Sequence, residues 1–101
     1  MSRFLIVYRG VPGGEESEGA PHRSAAWDNW FDRLGSAVVD RGSISHSSVE
    51  VPSRLRGPKL SSSALSGYSV VEAEDFDAAV RIAEECPIFD EKGSVEIARL
   101  N

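Results

Sequence analysis

Two histidines, His22 and His46, are the only side chains here whose ordinary pKa lies near neutrality, so acid–base chemistry would begin with one of them. His22 precedes a stretch of helical spacing, and Asp40 stands at the far end of that stretch. A carboxylate there sits against the negative end of the helix, which singles it out among the acids. The intervening helix would hold the two about 25 Å apart, so no proton passes directly between them within one chain. His46 shares parity with Ile44 on an expected edge strand, where it reads either as a pocket-lining imidazole or as a partly buried structural one. Neither histidine has a cysteine or carboxylate at metal-ligand spacing, and no metal or other cofactor is expected. Asp28 and Asp32 are four residues apart on a solvated helix face. Ser61-Ser62-Ser63 has no neighbouring base to make a nucleophile. "GVPGGEESEG" carries acid where a phosphate cradle needs lysine. Cys86 falls at a helix C-terminus, without the field that favours a thiolate, and reads as core.

The elements that must position these residues are clear from pattern. "RFLIVYR" (Arg3 to Arg9) is apolar on both parities, as in a strand buried on both faces. A loop over 10–23 follows. Ser24 is placed to cap a helix over 25–41 with Trp27, Trp30, Phe31, Leu34 and Val38 on one face, and Gly42 is placed to end it. "SISHSSVEV" is a polar strand stopped by Pro52, and 52–66 is a second long loop. "GYSVVEAE" is a strand. Asp75 caps a helix over 76–86, which Cys86-Pro87 terminates. "SVEIARL" closes the chain. The order strand, helix, strand, strand, helix, strand predicts one domain over 1–101: an α+β, ferredoxin-like sandwich with an antiparallel sheet. The first and third strands are central, and both helices lie on one face. Because the first strand is apolar on both sides, a second copy of the sheet is expected to cover the helix-free face, making a homodimer.

Composition narrows the function classes. A net charge of -5 and a pI near 4.9 argue against nucleic acid, whose phosphates repel an acidic surface. The single cysteine excludes an internal disulfide and fits a reducing compartment. The apolar run Phe4 to Tyr8 is far too short to span a bilayer. No membrane association is expected, and the cytoplasm is the expected location.

The stretches "ALSGYSVVEAEDFDAAVRIAEECPIF" and "GSVEIARL", with "WFDRLGSAVVDRGSI" (Trp30 to Ile44), resemble the YCII-related family of the dimeric α+β barrel superfamily. Part of that family carries an Asp-Gly-Pro-Phe loop before the third strand. Here Arg56-Gly57-Pro58-Lys59 keeps the glycine and proline and replaces the acid and aromatic by cations. The resemblance implies a homodimer with two sheets packed face to face. For some relatives it also implies action on small aromatic compounds through a histidine and an aspartate. Carried onto this chain, the candidates are His22, Asp40 and His46, with Asp40 supplied to His22 by the other subunit.

Topology points to a site at one end of the sheet. Both long loops and the Pro87–Lys92 connection emerge where Tyr8 closes the first strand and Trp27 and Trp30 begin the first helix. Arg54, Arg56 and Lys59 form a cationic cluster without an interleaved acid, on a loop expected to reach that end. An aromatic-lined pocket beneath a cationic lid would suit a small, partly apolar or aromatic anion. Against this, the loop's charges would merely balance Glu15, Glu16 and Glu18. Two functions follow: a binding module for such an anion, or a small enzyme using histidine acid–base catalysis on an aromatic substrate.

Overall fold

The first strand, β1 (Ser2–Arg9), alternates between two environments. Phe4, Ile6 and Tyr8 are fully buried, while Leu5, Val7 and Arg9 are half-buried on the opposite side. The structure is a computed structural model that describes residues 1–10, 16–45, 47–61 and 65–100, and of 16–24 the backbone alone. β1 pairs antiparallel with β5 (Leu65–Ala73) and β6 (Ser94–Leu100), and β2 (Val38–Ile44) pairs antiparallel with β5. The sheet order is β2-β5-β1-β6, so the two most apolar strands are central as expected.

The first helix, α1 (Glu16–Leu34), departs from expectation at both ends. It begins eight residues before Ser24, which lies inside it rather than capping it. It stops at Leu34 because Gly35 takes a left-handed φ of 57°, followed by a single 3-10 turn over Gly35–Ala37. Val38 to Arg41, expected in the helix, are therefore strand. Gly42 does not end a helix. It sits within β2 at φ 75°, where a Cβ would lie 1.7 Å from the Tyr68 carbonyl oxygen. The register against β5 slips twice between Val38 and Ser43, as at a β-bulge.

The second strand ends at Ile44 rather than continuing to Val51. Two short strands, β3 (Val49–Glu50) and β4 (Lys59–Leu60), pair with each other, Val49 opposite Leu60 and Glu50 opposite Lys59. What read as an open loop is thus partly an arm, a hairpin over 47–61 with its own ladder.

The second helix, α2 (Phe76–Glu84), is capped by Asp75, whose carboxylate accepts from the Ala78 N–H at 2.9 Å. Cys86-Pro87 turns the chain into a 3-10 segment, Pro87–Glu91. Trp27 and Trp30 of α1, Ala79 and Ala83 of α2, and Phe4, Ile6, Tyr8 and Val71 of the sheet share one core, so both helices cover the same face. Each fully buried large apolar side chain contributes about 1.5–3 kcal/mol. The smallest dimension, 18 Å, is that of one helical layer on one sheet. The opposite face is uncovered in the single chain. Leu5, Val7 and Val70 are half-buried there and Tyr68 is 41% exposed. Charges border this apolar strip, including an Arg9–Glu96 ion pair at 2.7 Å.

Candidate functional site

At the end of the sheet where β1 finishes, three aromatic rings meet edge to face. Tyr8 lies 4.8 Å from Trp27 and 6.5 Å from Trp30 between ring centroids, and the two tryptophans are 5.8 Å apart. Local sequence explains the gathering. Tyr8 has the inward parity of Phe4 and Ile6, and Trp27 and Trp30 are three residues apart on one helix face. Their polar atoms are all engaged. Trp30 Nε1 donates to the Ile82 carbonyl at 3.3 Å, and Trp27 Nε1 donates to Glu91 Oε2 at 3.0 Å. The Tyr8 hydroxyl donates to Ser69 Oγ at 2.7 Å, and Ser69 in turn donates to the Arg41 carbonyl at 2.6 Å.

Burial shapes the chemistry of this end. It holds the Tyr8 phenol well above its ordinary pKa, against the opposing hydrogen bond to Ser69. It also pushes the Cys86 thiol up to about 12, partly offset by the Ile88 N–H that the sulfur accepts. Both groups are protonated at neutral pH, so neither is a ready nucleophile or base. Tyr8 and Trp30 are 1% exposed and Trp27 is 9% exposed, so what little of the trio meets the surface belongs to Trp27.

The structure brings Tyr8, Trp27 and Trp30 together and leaves Arg54, Arg56, Lys59 and Asp40 apart from them. Arg54 and Arg56 are exposed at the turn of the arm, and Lys59 is exposed on β4. Among the described residues, no hydrogen bond, ion pair or ring contact joins their side chains to the aromatic trio. The arm's own ladder and a turn closed by the Gly57 N–H on the Ser53 carbonyl hold the tip outward, where Leu55 is 98% exposed. His22 is a backbone position in α1 whose side chain is outside the described residues, and His46 lies outside them altogether. Asp40 is registered against Val70 of the uncovered face, and its carboxylate accepts from the Gly42 N–H at 2.9 Å. The sheet therefore stands between Asp40 and the helix that carries His22.

Two residues of this end escaped the sequence reading, Ser69 and Glu91. Ser69 had a signal, since it is a polar residue at the inward parity of β5 between Gly67 and Val71. Glu91 had none, because its contact with Trp27 spans 64 positions.

Among the described residues, no three His, Cys, Asp or Glu side chains are grouped as a metal site would require, and no helix is long and apolar enough to cross a membrane.

The sequence matches no protein-family profile and no curated protein. Among solved structures, the chain is similar to a 5-chloro-2-hydroxyhydroquinone dehydrochlorinase from Burkholderia phenoliruptrix AC1100 in complex with 2,5-dihydroxybenzoquinone. The TM-score is 0.66 and the identity 16%, over 98% of this chain and 93% of that one. At this identity the likeness is one of architecture. The chain shares the α+β fold of that dehydrochlorinase over nearly its whole length.

Proposed function

We propose that this chain is a homodimeric protein of the YCII-related, dimeric α+β barrel type that binds a small, partly apolar aromatic compound at the end of the sheet where Tyr8, Trp27 and Trp30 meet. The observation that carries this reading is the fixed aromatic trio at the end of the sheet, of which Trp27 keeps some exposure. A planar ligand would pack against the exposed part of Trp27 at low entropic cost, since that ring is already fixed by packing and by its bond to Glu91. The fold supports the same reading, because a solved structure of this architecture holds a small quinone. Arg54 and Arg56 stand on the arm, clear of the trio, and form no part of the proposed site. The uncovered sheet face, apolar along Leu5, Val7 and Val70, supports the homodimer.

A second reading, an acid–base enzyme using His22 or His46, draws on one observation, that the structural neighbour is itself a dehydrochlorinase. The two readings separate in one experiment. Titration with 2,5-dihydroxybenzoquinone, followed by calorimetry and by the fluorescence of the chain's two tryptophans, is expected to saturate. Trp27→Phe is expected to weaken binding about tenfold while the fold and dimer persist. Turnover of 5-chloro-2-hydroxyhydroquinone that is lost in His22→Ala would favour the enzyme. No saturable response to the quinone at millimolar concentration would reduce the trio to core.

A further inference from the structure

The two edges of the sheet differ in how they are guarded. β2 slips register twice against β5 and carries Gly42 at positive φ, irregularities that keep a further strand from pairing with it. β6 has no such guard. All of its residues, Ser94 to Leu100, pair with β1 in one unbroken register, and among the described residues β1 is its one sheet neighbour. The strand contains neither proline nor lysine. Its two charges are engaged on the faces of the sheet rather than along the edge. Glu96 holds Arg9 at 2.7 Å, and the Arg99 guanidinium lies 5.5 Å over the rings of Phe4 and Phe76 on the helical side. The outer N–H and C=O groups of β6 therefore form a regular row ready to accept a strand.

Beside that edge an apolar groove runs between α2 and β6, lined by Phe76, Val80, Phe89, Val95 and Ile97. Phe76 is 45% exposed, Phe89 44% and Val80 39%. A charge of opposite sign stands at each end. Phe76 opens α2 against Phe4, and Phe4 is registered with Arg99, so Arg99 marks one end. Glu84, the one acid that lines the groove, lies two turns further along α2, about 12 Å away. Val95, which lines the groove with it, is four residues from Arg99, about 13 Å along β6. α2 thus runs antiparallel to β6, with Glu84 beside Val95 at the second end. Among the described residues, no ion pair joins Glu84 or Arg99 to an opposite charge.

We propose that β6 pairs antiparallel with β6 of a second copy, about a two-fold axis through Ile97, joining the two four-stranded sheets into one. The axis is perpendicular to the sheet and keeps both helical layers on one side. The two grooves then adjoin, and Phe76 and Val80 of each copy border a shared apolar strip over the paired Ile97 side chains. The same axis sets Val95 opposite Arg99 of the second copy, which brings that guanidinium to Glu84, and the match is made twice. One strand spacing is about 5 Å, within reach of an arginine side chain. The occupant is thus selected by the groove's own polarity, since antiparallel pairing brings its acidic end to the basic end of the other. The contact goes beyond the sheet-face homodimer and uses the edge, not the face along Leu5, Val7 and Val70. A single edge buries less than a whole sheet face, so it is the weaker contact and joins dimers into tetramers on the order of hundreds of micromolar.

Sedimentation from tens of micromolar to about 1 mM tests this in four chains: wild type, Glu84→Arg, Arg99→Glu, and the chain with both reversals. Both positions are exposed, so the fold tolerates the changes, and circular dichroism checks that it does. The wild type is expected to pass from dimer to tetramer. Each single reversal sets like charges against each other twice and should weaken that step about tenfold or more, and the double reversal should restore it. The Val7→Glu chain, without its sheet-face contact, should pass from monomer to dimer over the same range. If the wild type itself passes only from monomer to dimer, and the single reversals weaken that step, the edge contact stands and the sheet-face dimer falls. The edge contact is overturned by a wild type that stays dimeric to about 1 mM, by single reversals that associate as the wild type does, or by a double reversal that fails to restore association. A wild type that stays monomeric throughout removes both contacts.

Discussion

The Tyr8 hydroxyl donates to Ser69 Oγ at 2.7 Å in the interior of the sheet, and Ser69 is 0% exposed. Ser69 spends its own proton on the Arg41 carbonyl at 2.6 Å, which ties the bulged edge strand to the core. Ser69→Ala strands the buried Tyr8 hydroxyl and releases the part-buried Arg41 carbonyl, and is expected to cost about 1–3 kcal/mol, whereas Tyr8→Phe leaves the Ser69–Arg41 bond intact and costs about 1 kcal/mol. In the Ser69→Ala background Tyr8→Phe should cost nothing or restore stability. Urea denaturation of the four chains measures this coupling, and strictly additive costs would show that the chain of bonds does not act as a unit.

Alkaline pH should destabilise the fold through Cys86. Its folded pKa, about 12, is raised above that of an unfolded thiol, so the unfolded chain gives up its proton first. The contribution is fully present below the unfolded pKa and is lost as pH rises toward the folded value. The slope approaches about 1.4 kcal/mol per pH unit over that window. Tyr8, also raised, acts in the same sense at the upper end. Cys86→Ala should flatten the pH dependence of the urea midpoint between about pH 9 and 11 by one proton's worth. An unchanged slope would place the thiol in contact with solvent.

Gly42 and Gly35 both have positive φ, 75° and 57°, but differ in what surrounds them. A Cβ at Gly35 meets nothing within 4 Å, while one at Gly42 meets the Tyr68 carbonyl oxygen at 1.7 Å. Gly35→Ala is expected to cost about 1 kcal/mol from backbone strain alone. Gly42→Ala should cost more than about 4 kcal/mol, since it forces β2 off β5. Thermal melts of the two chains give the comparison, and similar losses would place the bulge elsewhere.

The apolar strip on the helix-free face predicts a dimer at tens of micromolar. Val7→Glu puts a charge in the middle of that strip without touching the core. The variant should sediment as a monomer with an unchanged circular dichroism spectrum. A wild-type monomer at those concentrations would leave the strip without a partner.

Asp75 and Gly42 show what local sequence carries and what it does not. The Asp75 cap, the start of α2, its stop before Cys86-Pro87 and the central place of β1 and β5 were all legible, because each rests on neighbouring residues or on strand parity. The limits of α1 were not. Leu34 and Val38 continue a helical spacing, and a glycine at position 42 fits a helix end as well as it fits a bulge. Only pairing with β5, a non-local event, decides between them. The arm was hidden for the same reason, since four residues pairing across an eight-residue turn leave no periodic trace. At the candidate site, parity and helical spacing brought the aromatic trio together correctly. The cationic lid was inferred from loop length, which fixes reach but not direction.

The binding claim is tested most directly by the two indole N–H resonances in a nitrogen–proton correlation spectrum, recorded while 2,5-dihydroxybenzoquinone is added. Trp27 meets the surface and bonds to Glu91, whereas Trp30 is 1% exposed and bonds to the Ile82 carbonyl. A ligand stacked at the end of the sheet should move the Trp27 resonance saturably and the Trp30 resonance much less. If the Trp27 resonance stays in place through millimolar quinone, the aromatic trio is hydrophobic core and the proposed site is wrong.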